Sequence, residues 1–176
     1  MKKAIFLDRD GVINKAIVKN GRPYSPESLF EVEFCDQAVS AIAELRNAGF
    51  EIIVITNQPD ISRGKTTFNS VEKIHKYIEE VTQINSFYIC PHQDSDECGC
   101  RKPKSGLLKL AAEQREIELA QSFLVGDRWR DIAAGQEVGC TCYFINYDYK
   151  EKRPQAPFFE VRSLKEASIQ IIGGPK

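Results

Sequence analysis

The chain has 176 residues, 42% of them hydrophobic, enough to bury a core and too many for a disordered segment. Its 24 Lys and Arg against 25 Asp and Glu leave a net charge of −1, which excludes a global electrostatic footprint for nucleic acid or an anionic membrane. No apolar run approaches the ~20 residues of a membrane span, so neither nucleic acid nor membrane is an expected partner.

The first element is Lys3–Asp8 (KAIFLD), an apolar run too short for a helix, which reads as a buried strand. It ends in Asp8-Arg9-Asp10-Gly11. Continued extension would aim the two carboxylates the same way and Arg9 oppositely, although DRDG alone also suits a simple turn. MKKAIFLDRD opens like a secretory leader, but acid follows its brief apolar run at once, so a cytoplasmic protein is expected. Residues 14–34 contain the turn-prone NGRPYSPES and fit a flap hairpin, too short for a covering domain. Val39, Ile42 and Leu45 predict a helix closed by Gly49, with Cys35 starting it.

Glu51–Thr56 (EIIVIT) is the second predicted strand. Phe68, Val71, Ile74, Ile78 and Val81 predict a helix after Thr66-Thr67, candidate N-caps. His75 falls one step off that stripe and is expected half-exposed, without a role. Ser86–Cys90 (SFYIC) is a third strand; a helix follows through Leu107, Leu108 and Ala111. Ser122–Asp127 (SFLVGD) is a fourth strand, Ile132–Val138 a short helix, and Thr141–Asn146 (TCYFIN) a fifth strand. Trp129, a few residues before that short helix, is expected to pack against a helix rather than to face a ligand. YDYKEKRPQAP reads as a polar loop, and a last strand (FFEV) and helix (SLKEASIQII) are expected at the sheet edge. This alternation predicts one α/β domain over residues 1–176, a three-layer Rossmann-like parallel sheet with helices on both faces and no cap domain.

In open parallel sheets ligands bind at the carboxyl ends of the strands. Here those ends carry Asp8 and Asp10, then Thr56-Asn57, and then Gly126-Asp127, with Arg101-Lys102 in the loop after Cys90. Asp8, Asp10 and Asp127 together would repel one another unless a cation sat among them, and hard oxygen donors in an open site favour Mg²⁺. Cys90, His92, Cys98 and Cys100 follow the spacing C-x-H-x5-C-x-C, a complete tetrahedral set for a structural Zn²⁺. In a reducing compartment a disulfide is disfavoured; Cys35, Cys140 and Cys142 are read as packing residues.

DRDGVIN, ITNQ, CRKPK and VGDRWRD resemble, in order, the four motifs of the haloacid dehalogenase superfamily of phosphohydrolases, over roughly Ala4 to Asn146. The resemblance implies a HAD-like fold and roles for these residues. Asp8 would be the nucleophile, forming an aspartyl-phosphate, and Asp10 the proton donor and acceptor. Thr56, the Asn57 backbone, Gln58 and Lys102 would surround the transferring phosphoryl group. Asp8, the Asp10 carbonyl oxygen and Asp127 would hold Mg²⁺, with Asp131 in support through water.

The zinc loop (residues 90–100) and the missing cap are similar to the branch of heptose 1,7-bisphosphate and histidinol-phosphate phosphatases. DRDGVIN and SRGKTT favour the heptose side, on which Arg63, Lys65, Arg101 and Arg128 are candidates for a second phosphate, Arg101 first among them. On the histidinol side Asp60 is a candidate for the amine. The expected partner is a phosphorylated small molecule bound by a monomer; a non-catalytic, zinc-stabilised binding protein is the alternative of another class.

Overall fold

The computed structural model describes residues 1–174. Its main sheet has six strands in the order β5-β4-β1-β6-β7-β8. These are β1 (Ala4–Leu7), β4 (Glu51–Asn57), β5 (Phe87–Cys90), β6 (Phe123–Gly126), β7 (Thr141–Ile145) and β8 (Phe159–Val161), and every neighbouring pair is parallel. A two-stranded antiparallel hairpin, β2 (Ile17–Lys19) with β3 (Arg22–Tyr24), stands apart as the flap.

Alternation along β1 divides the core. Ile5 and Leu7 face helices α1 (Ala38–Asn47), α2 (Phe68–Thr82) and α5 (Leu164–Gly173), whereas Ala4 and Phe6 face α3 (Gly106–Arg115) and α4 (Trp129–Glu137). Each fully buried Ile, Leu or Phe contributes roughly 1.5–3 kcal/mol of transfer free energy, so the two apolar layers fix the sheet between them. Thr67 caps α2, its hydroxyl accepting from Ser70 N at 3.1 Å. Predicted strands and helices are all present, although α1 starts at Ala38, after a turn containing Cys35. No described helix is long and apolar enough to cross a membrane.

Register places the chemistry. Leu7 lies opposite both Val54 and Val125, so β1, β4 and β6 end at one rim. The chain reverses its direction of sheet growth at β1, which makes that rim the topological switch point.

Candidate active site and metal centres

Asp8 leaves β1 with its backbone still in the sheet, Asp8 N donating to Val125 O at 3.0 Å. The chain then turns sharply at Gly11, whose φ of +91° disfavours any side chain. A second constraint is spatial, because a Cβ there would stand 2.0 Å from Asp127 Oδ2. The glycine therefore lets the carboxylate at the end of β6 come against the turn that follows β1.

Asp8, Asp127 and Asp131 each place a carboxylate oxygen within 4.8 Å of the others, and all three are buried. Lys102 stands among them, its Nζ 2.9 Å from Asp8 Oδ1 and 2.5 Å from Asp131 Oδ1. It also donates to Ile55 O at 2.8 Å. Burial, with the charge of Asp131 added and only partly offset by Lys102, raises Asp8 to about 6. Burial and the charges of Asp8 and Asp131 push Asp127 well above the ordinary carboxylate range. Asp127 Oδ1 is a buried oxygen with no hydrogen-bond partner among the described residues. One amine against three carboxylates, one of them with an orphaned oxygen, fits a site for a cation bound by hard oxygen donors, as Mg²⁺ is.

Asp10 is built differently. Its carboxylate accepts from Arg9 Nε at 3.0 Å and Nη2 at 2.9 Å, from Asn14 Nδ2 at 2.9 Å, from Ser25 Oγ at 2.7 Å and from Gln58 Nε2 at 3.0 Å. Burial alone would raise it, but the Arg9 charge and these hydrogen bonds outweigh burial and hold Asp10 below the usual range. Arg9 was expected to point away from both aspartates; it instead folds back into a buried, bidentate pair with Asp10. His75 corrects a second expectation. It is 6% exposed, stacked on Phe87, and 3.2 Å from Arg9 Nη1; burial and the Arg9 charge lower it to about 3, so it is neutral.

The residues at the end of β4 do mainly positioning work. Asn57 forms a reciprocal amide pair with the Lys102 backbone, both bonds 3.1 Å, and so ties the Lys102 loop to β4. Gln58, expected beside substrate, is buried, and its amide nitrogen joins Thr56 Oγ1 at 2.9 Å to Asp10. With that oxygen accepting, the Thr56 hydroxyl hydrogen is left for another acceptor.

The four zinc candidates converge. Sulfur–sulfur distances among Cys90, Cys98 and Cys100 are 3.1–3.6 Å, and His92 Nδ1 lies 3.3 Å from Cys100 Sγ and 3.6 Å from Cys90 Sγ. A tetrahedral ion with sulfur ligands at ~2.3 Å has edges of about 3.8 Å, so the cluster is slightly tighter than a filled site and of the right shape. Asp94, inside this loop, accepts from Arg101 Nε at 2.9 Å and from Arg130 Nη1 at 2.9 Å, bonding the loop to α4.

The arginines proposed for a second phosphate lie at different depths. Arg101 is nearly buried and also donates to His92 O at 3.1 Å. Arg128 forms a bidentate pair with Glu151, both bonds 2.7 Å, at the rim of a cavity walled by Asp127, Trp129, Tyr147 and Tyr149. Arg63 is exposed and paired with Asp60 through one carboxylate oxygen, Oδ1, at 3.1 Å. Trp129 belongs to neither apolar layer; Lys152 Nζ sits 3.6 Å over its ring and Arg130 at 4.9 Å.

The loop after β7 supplies what sequence reasoning missed. Tyr149 donates to Asp127 Oδ2 and Tyr147 to Gly11 O, each at 3.0 Å. Lys150 N bonds the flap at Gly21 O at 2.7 Å, so flap and loop meet beside the carboxylates. The only signal available was the pair of tyrosines in an otherwise polar stretch.

Comparison with known proteins gives concordant results. Residues 5–154 match the family model described as polynucleotide kinase 3 phosphatase. A D-glycero-beta-D-manno-heptose-1,7-bisphosphate 7-phosphatase of Helicobacter pylori strain J99 is 34% identical over 170 residues, 93% of this chain and 94% of its own. The enzyme of that name from Escherichia coli K12 is 37% identical over 143 residues, covering 74% and 72%. The crystal structure of D,D-heptose 1.7-bisphosphate phosphatase from B. bronchiseptica, complexed with magnesium and phosphate, superposes with a TM-score of 0.84 at 25% identity, covering 97% and 98%.

Proposed function

This chain belongs to the haloacid dehalogenase superfamily, in the family matched by the polynucleotide kinase 3 phosphatase model, and from that premise we propose that it is a Mg²⁺-dependent phosphomonoesterase. Its proposed substrate is D-glycero-D-manno-heptose 1,7-bisphosphate, from which it removes the 7-phosphate, the reaction named for its relatives. The observation that carries this reading is the buried trio Asp8, Asp127 and Asp131 around Lys102, with Asp10 held nearby by a separate cation.

In this reading Asp8 attacks phosphorus, forming an aspartyl-phosphate as the bond to the sugar oxygen breaks. Asp10 gives its proton to the departing oxygen, then takes one from the water that attacks the acyl-phosphate and frees inorganic phosphate. The free Asp10 is anionic at neutral pH, but the negative charge of an arriving phosphate raises its proton affinity, which prepares it as the acid. Lys102 and the Thr56 hydroxyl hold the equatorial oxygens and stabilise the charge that spreads over them. Asp8, the Asp10 carbonyl and Asp127 would ligate Mg²⁺, and a divalent ion bound there supplies Lewis-acid stabilisation of the phosphoryl oxygens.

Cys90, His92, Cys98 and Cys100 would hold a structural Zn²⁺, folding a loop with little apolar content of its own. For the second phosphate, Arg101 and Arg128 are the proposed contacts. Arg101 Nη2 and Arg128 Nη1 make no hydrogen bond among the described residues, so both can donate without breaking their present pairs. The test is kcat/KM with Mg²⁺ on heptose 1,7-bisphosphate, histidinol phosphate and a 3′-phosphorylated oligonucleotide. The heptose bisphosphate is expected to exceed both others by at least about tenfold; a preference for either of the others would reassign the substrate.

A further inference from the structure

Arg9 is among the largest fully buried side chains in the protein. A guanidinium offers five N–H donors and no acceptor, so burying it demands partners. Asp10 takes two of those donors, and His75 Nε2, 66 residues away in sequence, lies 3.2 Å from a third nitrogen, Nη1. Because arginine only donates, this contact is a hydrogen bond only if Nε2 is bare and the imidazole proton is on Nδ1. The ring plane is fixed by Phe87, with centroids 4.5 Å apart and planes 14° from parallel. A leucine would fill the same space without burying a polar ring, and a polar ring is tolerated there only because it is bonded.

We propose that His75 is a positioning residue: its Nε2 lone pair anchors the Arg9 guanidinium in the plane of the Asp10 carboxylate, and so fixes where that carboxylate points during proton transfer. The proposal rests on the reading of Asp10 as the proton carrier. It assigns α2 a defined task in the reaction.

Two substitutions separate the acceptor from the packing. H75Q keeps an acceptor at the reach of Nε2 and loses the aromatic stack, whereas H75F keeps the stack and loses the acceptor. H75Q is expected to retain kcat within about threefold, and H75F to lose about tenfold in kcat with KM within about twofold, as a misaimed acid would give. Equal losses in the two variants, the reverse ranking, or a parental kcat in H75F would overturn the proposal. A tautomer measurement does not depend on activity: nitrogen-resolved histidine spectra of the unmodified protein, which has 2 histidines, should show the His75 proton on Nδ1. A proton on Nε2 would overturn the proposal even if both variants failed to fold. A parent enzyme inactive on every phosphomonoester, with the proton on Nδ1, would instead remove the proposed function and leave the Arg9 anchor intact.

Discussion

Tyr149 donates its hydroxyl hydrogen to Asp127 Oδ2 at 3.0 Å, so the carboxylate at the end of β6 is oriented by a loop that follows β7. The bond occupies one oxygen and leaves the other, Oδ1, buried and without a hydrogen-bond partner among the described residues. Tyr149→Phe removes the orienting bond and leaves the ring. It is expected to weaken Mg²⁺ binding roughly tenfold, read as the Mg²⁺ concentration needed for half-maximal thermal stabilisation and for half-maximal turnover. An unchanged Mg²⁺ dependence would show that Asp127 needs no such support.

Among the described residues Lys102 is the one cation paired with both Asp8 and Asp131. Lys102→Met keeps much of the stem but leaves two buried carboxylates facing each other. Turnover should fall by several orders of magnitude, and the magnesium-free protein should lose on the order of 3 kcal/mol in denaturant unfolding. A stable, active K102M would mean that the amine serves neither the phosphoryl group nor the cluster.

The same carboxylates make stability depend on pH. Asp8 rises from an ordinary 3.8 to about 6, and Asp127 is raised as well, so the folded state binds protons more readily than the unfolded chain. Magnesium-free protein should therefore lose stability as pH rises from about 4 to 6, the window in which Asp8 gives up its proton, with Asp127 adding a loss of the same sign. A bound cation replaces those protons. The Mg²⁺-induced increase in melting temperature should be larger at pH 7.5 than at pH 5.5; equal increases would mean that the ion binds elsewhere.

Zinc should be found at about one per chain by elemental analysis. Cys98→Ser should lose it and, with it, the Asp94 bonds that tie the loop to Arg101 and Arg130, lowering turnover because Lys102 directly follows Arg101. A zinc-free parent with an unchanged melting temperature and full activity would remove the structural metal from the account.

Much of this candidate site is legible in the sequence. Short apolar runs mark buried parallel strands, and polar residues at their carboxyl ends converge because the topology leaves them one rim. What escaped was side-chain direction. Extended geometry predicted that Arg9 would oppose Asp10, but the turn at Gly11 ends the extension, and the guanidinium reaches back. His75 was judged from its distance to Ile74, yet it lies four residues after Val71 and three before Ile78, a spacing that puts it on the buried face. The Asp131 ion pair with Lys102, which places its carboxylate beside those of Asp8 and Asp127, has no signal in the motif spacing. Tyr147 and Tyr149 lie in a polar loop without period, where no pattern says which side chain turns inward.

The account centres on Asp8 as the group that takes the phosphoryl. The most direct measurement is Mg²⁺-dependent phosphate release from heptose 1,7-bisphosphate by Asp8→Asn beside the parent, with folding and zinc content checked in both. A fall of about four orders of magnitude or more in a folded, zinc-bearing variant is the predicted result. Turnover near the parental rate would contradict it and place the nucleophile elsewhere.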